Sequence, residues 1–198
     1  DVYKRQGLDG RIGRKFLHPG PGFGGSCFPK DTRALVEMAR DNQVSSRIVE
    51  AVVEVNAAQK ARMVVKIREA LGGSESGKKI AVLGLTFKPE TDDMRDAPSL
   101  AILPALAANQ AAIQAHDPQG MAAAAALLPD SVTYHDDMYS VLEGADAVVL
   151  MTEWNQYRGL DLARVRDLMR GSVFVDLRNV YEREPMCAAG FEYHCVGR

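Results

Sequence analysis

Long apolar runs are missing from this sequence. None approaches the ~18–20 residues of a membrane-spanning helix, so no membrane contact is expected. Basic runs are missing too: 24 Lys and Arg stand against 26 Asp and Glu, a formal net charge of −2, and nucleic acid is not an expected partner. Cysteine is scarce. Cys27, Cys187 and Cys195 make an odd number, without CxxC or Cys/His ligand spacing. That argues against a disulfide framework or a zinc site and for reduced thiols in the cytoplasm, with Cys187 and Cys195 as packing residues. No secretory leader is expected ahead of the first patterned segment. What remains is ordinary for a globular chain of one or two domains: 198 residues, 46% hydrophobic and 25% charged.

Against that background, residues 19–31 stand out. Pro19-Gly20-Pro21-Gly22-Phe23-Gly24-Gly25 describes a loop whose backbone comes close to something and carries few side chains there. The loop stops at Ser26-Cys27, and Pro29 suits the first turn of a helix over 29–41, with Leu35, Val36, Met38 and Ala39 turned inward. Cys27 therefore falls at or just before a helix N-terminus, where unpaired N–H groups favour a thiolate, and Lys30 adds a positive charge. Asp31 follows one helical turn later. A thiol, a carboxylate and a glycine cradle suit covalent catalysis on an electrophilic carbon, followed by attack of water. As residues alone, the stretch is also compatible with a buried, inert cysteine beside a flexible loop.

Ser45-Ser46 offers an N-cap for a long helix. Ile48, Val49, Val52, Val53, Val55, Met63, Val64, Ile67 and Leu71 recur at three- and four-residue spacing until Gly72-Gly73 stops it. Such an apolar stripe must be buried, either within its own chain or against another one. After Ser74–Gly77, apolar strands at 78–85, 113–116, 132–134, 147–151, 173–176 and 192–196 alternate with helices at 98–109, 119–128, 138–143 and 162–169. That order predicts an α/β fold: a long central helix followed by a doubly wound parallel sheet, with ligands beyond the strands' C-terminal ends. The turn after the first strand, Gly84-Leu85-Thr86, is not a GxGxxG turn and is not read as a dinucleotide pyrophosphate site. It does lead to Lys88 and Arg95, and the fifth strand leads to Arg178. Three bases at strand ends suit phosphates, although Asp92, Asp93 and Asp96 offer them surface partners instead.

Phe16-Leu17-His18-Pro19-Gly20-Pro21-Gly22-Phe23-Gly24-Gly25-Ser26-Cys27-Phe28-Pro29-Lys30-Asp31 resembles the catalytic-cysteine motif of the nucleotide-sugar 6-dehydrogenases. FKPETDDMR (87–95), ADAVVLMTEW (145–154) and VDLRN (175–179) resemble further segments of that family. The likeness covers nearly all of the chain from Gly7 on, while residues 1–6 carry no period and do not share it. It implies oxidation of a sugar C6 alcohol to a carboxylate with two NAD⁺ and one water. Ser26, Phe28–Asp31 and Arg11-Ile12-Gly13 favour UDP-glucose as substrate and UDP-glucuronate as product, with GDP-mannose and UDP-N-acetylhexosamines as rivals.

The resemblance also implies roles. Cys27 attacks the C6 aldehyde, and Asp31 helps water hydrolyse the thioester. Phe16, Leu17, His18, Pro19, Gly20 and Gly24 wrap the UDP-sugar, and Phe87, Lys88 and Arg178 contact it from the second domain. Arg11 reaches a neighbouring subunit's sugar, although on residues alone a solvated surface arginine fits equally well. Lys30 and Arg95 touch NAD. His18 has no identifiable triad partner and reads as a loop residue presenting its backbone, and Trp154 as a core or cleft-wall aromatic. The implied organisation is a cysteine-loop region at 1–44, a long homodimer-forming helix at 45–73, and a Rossmann-like UDP-sugar domain at 78–198. The family's GxGxxG domain and its acid/base lysine are not in the sequence, so the chain is expected to be a C-terminal part, inactive alone. A non-catalytic nucleotide-sugar-binding module is the alternative.

Overall fold

The computed structural model describes residues 5–13 and 17–197. Six parallel strands form one sheet: β1 (Lys79–Leu83), β2 (Ala112–His116), β3 (Thr133–Tyr134), β4 (Ala147–Leu150), β5 (Val173–Asp176) and β6 (Glu192–Cys195). Their spatial order is β3-β2-β1-β4-β5-β6. The chain winds one way from β1 to β3 and the other way from β4, which leaves a crevice between the C-terminal ends of β1 and β4. The central strands β1, β4 and β5 read as apolar runs because both faces are covered. Ile80 and Val82 enter one core with Val149, Val175, Ile102 and Leu106, while Ala81 and Leu83 enter the other with Val148, Leu150, Phe174 and Tyr157. Neighbouring residues of a strand thus serve opposite cores, as the period of two requires.

Helix α1 (Phe28–Asp41) and helix α2 (Arg47–Ala70) precede the sheet. At 24 residues, α2 is about 36 Å long. Only its C-terminal part is buried, through Met63, Val64, Ile67 and Ala70, which join α3 (Ser99–Ala108) over one face of the sheet. The N-terminal half leaves Ile48 82% and Val55 65% exposed. On α1, Val36 is buried, whereas Leu35 and Met38 point outward at 46% and 56% exposure. The expectation that these two turn inward is corrected: α1 rests on its neighbours through Pro29 and Val36, and among the described residues its outer face stays exposed.

Other departures have local causes. The expected helix over 119–128 shrinks to α4 (Met121–Ala125), with Asp117 accepting the Gln119 and Gly120 N–H groups just ahead of it. The expected helix over 138–143 is one 3₁₀ turn, Ser140–Leu142, which Asp137 caps through the Tyr139 and Ser140 N–H groups. Two short helices were not anticipated, α5 (Asn155–Arg158) and α7 (Arg183–Ala188); α6 (Leu162–Leu168) was. Cys187 lies exposed on α7 rather than packed, Cys195 is buried on β6, and neither is disulfide-bonded. No helix among the described residues is long and apolar enough to cross a membrane.

The end of α2 is tied to the end of α3 by one carboxylate. Glu75, 2% exposed, accepts Arg68 Nε and Nη2, each at 2.8 Å, and Asn109 Nδ2 at 2.9 Å. The Arg68 guanidinium outweighs the effect of burial and holds the Glu75 pKa at about 2. A folded-state pKa below the ordinary carboxylate value means that the ionised form is the stabilising one. Its contribution is complete above about pH 5 and is lost as pH falls towards 2. Glu75→Gln is therefore expected to lower stability at pH 7 by about 1–3 kcal/mol. Urea denaturation should show the gap between variant and wild type closing as pH falls below 4.5, the ordinary carboxylate value.

Candidate functional site

Cys27 is the N-cap residue of α1, and its sulfur is exposed and makes no capping bond. Pro29 enters the first turn, and Asp31 N–H donates to the Cys27 carbonyl at 2.8 Å, closing that turn. The sulfur lies 3.6 Å from Ser26 Oγ. Lys30 Nζ and Asp31 Oδ1 pair at 3.3 Å in the open. Cys27 is therefore not the buried cysteine of the alternative reading.

The loop ahead of Cys27 is pressed between α2 and the loop that follows β1. A Cβ on Gly24 would stand 2.5 Å from the Asp96 carbonyl oxygen, and one on Gly25 2.9 Å from the Phe87 ring. Gly25 N–H donates to the Arg95 carbonyl at 2.7 Å. From α2, Asn56 accepts from Phe23 N–H at 2.8 Å and donates to the Phe23 carbonyl at 3.1 Å. Gln59 donates to the Gly20 carbonyl at 2.9 Å, and Lys60 Nζ to the Asp96 carbonyl at 2.9 Å. Burial pushes the Lys60 pKa down, with Asp96 acting against that and Arg33 adding to it. Arg33 on α1 closes the ring through an ion pair with the Asp96 carboxylate. Asp96 has a positive φ of 50°, so this tight turn sits in the left-handed region.

The second-domain bases are placed differently from one another. Arg178 is nearly buried, donating to the Met151 carbonyl at 2.8 Å and the Phe87 carbonyl at 2.9 Å, with Glu153 at 3.1 Å. Burial pushes its pKa down, opposed by Glu153 and Asp176. Its Nη1 faces Gly20, where a Cβ would come within 3.2 Å. Arg95 is exposed and clasps Asp93 through Nε at 2.9 Å and Nη2 at 2.8 Å, as the surface-pairing alternative anticipated. That bond raises the Arg95 pKa, and the nearby Cys27 charge acts in the same direction. Lys88 is exposed, its Nζ 5.2 Å from the Phe87 ring centre.

A dinucleotide on a sheet of this order would set its ribose on an acidic residue ending β2. Asp117 holds that place, yet its carboxylate already accepts the N–H groups of Leu85, Thr86, Gln119 and Gly120, the Thr86 hydroxyl and Trp154 Nε1. Gly84, where the pyrophosphate turn would be, is covered by Thr152, whose main-chain nitrogen a Cβ would meet at 2.7 Å. This crevice does not fit a dinucleotide.

Six of the expected site residues line two separate cavities rather than one. His18, Gly20 and Arg178 line an opening of about 760 Å³ with the N-terminal half of α2. Cys27, Lys30 and Arg95 line another of about 620 Å³ with Gly25, Arg33 and Asp96. Asp31, turned to Lys30, is not among the side chains lining it. Arg11 is 90% exposed and bound to Asp9 at 2.7 Å within its own segment. Leu17 is half-buried and Pro19 exposed on the loop, and Phe16 lies outside the described residues. Trp154 is buried, its Nε1 on Asp117, as a core aromatic. The sequence reading missed Asn56, Gln59, Lys60 and Arg33. The available signal was the gap between Val55 and Met63, where polar residues interrupt the apolar stripe at i, i+3 and i+4.

The described family "UDP-glucose/GDP-mannose dehydrogenase family, UDP binding domain" matches residues 81–183, just over half of the chain. The chain belongs to this family. The family's central domain matches residues 1–58, which brings in residues 1–6 that the sequence reading had set apart. The chain is 49% identical over 198 residues to the UDP-glucose 6-dehydrogenase of Rhizobium meliloti strain 1021, covering all of this chain and 45% of that protein. It is 44% identical over 192 residues to UDP-glucose 6-dehydrogenase TuaD of Bacillus subtilis strain 168, covering 97% of this chain and 41% of the other. The structure of a UDP-glucose dehydrogenase from Pyrobaculum islandicum superimposes with a TM-score of 0.81 at 39% identity, over 98% of this chain and 42% of that one. The chain thus spans less than half the length of these relatives.

The glycine contacts give a test. Gly24→Ala drives a methyl group into main-chain atoms that no rotamer can move, and is expected to cost about 1–3 kcal/mol and to expose the loop to proteolysis. Gly10→Ala, with nothing within 4 Å of its Cβ, should leave both unchanged. Thermal melts and timed protease digestion of the two variants decide it.

Proposed function

We propose that this chain carries the thiol chemistry and part of the UDP-sugar site of an NAD-dependent UDP-glucose 6-dehydrogenase, an oxidoreductase forming UDP-glucuronate. The observation that carries the reading is an exposed Cys27 heading a helix, with Lys30 and Arg95 in the same cavity. The names of the relatives support it. The Cys27 thiolate adds to the C6 aldehyde carbon and forms a thiohemiacetal, its own proton having gone to solvent. Loss of a hydride from its oxyanion form would leave the thioester, and a bound nicotinamide dinucleotide would supply the acceptor for that hydride. Water then adds to the thioester carbonyl, Asp31 takes its proton, and the Cys27–carbon bond breaks to return the thiolate and the carboxylate product. For this Asp31 must leave Lys30, a rotation its exposed position permits.

The loop from Phe16 to Gly20, together with Gly24, would wrap the nucleotide sugar, and Phe87, Lys88 and Arg178 would meet it from the sheet domain, with Arg11 entering from a second subunit. The nicotinamide nucleotide would meet Lys30 and Arg95 but find its cradle on another domain, since the crevice of this sheet does not fit it. The bare N-terminal half of α2 supports a homodimer through that helix, with 1–44, 45–73 and 78–198 as the functional units.

Calorimetric titration with UDP-glucose, UDP, GDP-mannose and UDP-N-acetylglucosamine tests the substrate. Selective heat from UDP-glucose is expected, and binding of GDP-mannose alone would overturn the choice of base and sugar. Mixed with UDP-glucose and NAD⁺, the chain by itself should form no NADH. Supplied with a relative's NAD domain it should turn over, and Cys27→Ala should lower that rate by at least about 10³-fold. Unchanged turnover would sink the thiol mechanism.

A further inference from the structure

The side chain of Asn56 behaves as a neighbouring strand would. It pairs with both main-chain groups of Phe23, as acceptor at 2.8 Å and donor at 3.1 Å. The carboxamide does both at once through two separate atoms, Oδ1 and Nδ2, whereas a carboxylate cannot donate and an alkyl group does neither. The loop lies flush on the helix there: Gly22 has φ +115°, and a Cβ on it would stand 2.8 Å from Asn56 Oδ1. One turn further along α2, Lys60 carries the Asp96 carbonyl. Two adjacent turns of one helix therefore hold the segment entering Cys27 and the segment leaving Arg95. Between them, Gly25 N–H joins the two loops through the Arg95 carbonyl.

We propose that Asn56 is a positioning residue that, with Lys60 on the same helix face, holds the Cys27 sulfur in register with the Arg95 guanidinium. Its consequence for turnover rests on the dehydrogenase reading. The register itself is a property of the chain, measured by thiol chemistry. An aldehyde adding to Cys27 becomes an oxyanion, and a cation held in the same cavity, as Arg95 is by Asp93, stabilises that charge.

The test compares two alkylating reagents on the full chain, anionic iodoacetate and neutral iodoacetamide. Modification of Cys27 is followed by peptide mass spectrometry, with the exposed Cys187 as internal reference. A nearby cation favours the anionic reagent, so Arg95→Ala should lower the Cys27 iodoacetate-to-iodoacetamide ratio by about threefold, the effect of one unit charge across several ångströms of water. Asn56→Ala should lower it by the same factor, and the double variant no further. Gly22→Ala, which pushes Phe23 off Asn56 without altering charge, should do likewise and serves if Asn56→Ala fails to fold. A residue that merely stabilises the fold would shift the melting temperature and leave the ratio alone.

An unchanged ratio in Asn56→Ala and Gly22→Ala, an unchanged ratio in Arg95→Ala, or additive losses in the double variant would each overturn the proposal. Absence of NADH formation by wild-type chain supplied with the NAD domain would count against the dehydrogenase reading instead, and would leave these ratios as predicted.

Discussion

A carboxylate shut away from water must be surrounded by donors or it destabilises the fold by several kcal/mol. Asp117 meets that demand by gathering N–H groups from both sides of the crevice. Leu85 and Thr86 are drawn in after β1, Gln119 and Gly120 after β2, and the indole of Trp154 after β4. The path of the chain out of β1 is set by this one residue. Phe87 and the Arg95–Asp96 turn follow from that path, and the cysteine loop then rests on them. A residue that reads as a ribose ligand in a dinucleotide domain has become the fastener of a differently used edge.

Asp176 does the corresponding work at the end of β5. It accepts from the N–H groups of Arg178, Val180 and Tyr181 and from the Tyr193 hydroxyl. Arg178 is thereby turned back over the strand ends, where the Met151 and Phe87 carbonyls fix its guanidinium plane. One nitrogen of the fork is left facing the glycine loop. Positive charge thus borders the two cavities in different forms: a half-buried arginine held by carbonyls at one, exposed Lys30 and Arg95 with the helix N-terminus at Cys27 at the other.

Much of this was legible in the residues. Apolar runs marked β1, β4 and β5, because strands buried on both faces leave no polar alternation to misread. Cys27 at a helix start followed from Pro29 and the glycines before it. Helix ends were less legible where a carboxylate takes a backbone N–H for another purpose, as Asp117 does at Gly120 and Asp137 at Ser140. Leu35 and Met38 looked like core residues because hydropathy does not say whether the covering surface belongs to the same chain. Asn56, Gln59 and Lys60 were passed over because their partners are carbonyl and amide groups of a loop some 33 to 39 residues away, and main-chain groups carry no sequence signal. The split of the expected residues between two cavities is likewise a matter of three-dimensional path.

The two rims of the sheet remain. On one side β3 is only two residues long, which offers about 7 Å of pairable backbone. On the other, β6 is bracketed by Gly190 and Gly197, with φ of 86° and 79°, so the chain leaves extended geometry immediately before and after it. Neither border presents a long straight row of hydrogen-bonding groups, which is what a foreign strand needs as a template. A sheet with an apolar centre is by this means kept from growing into fibrils by edge-to-edge addition, even while the helix beside it leaves greasy surface in water.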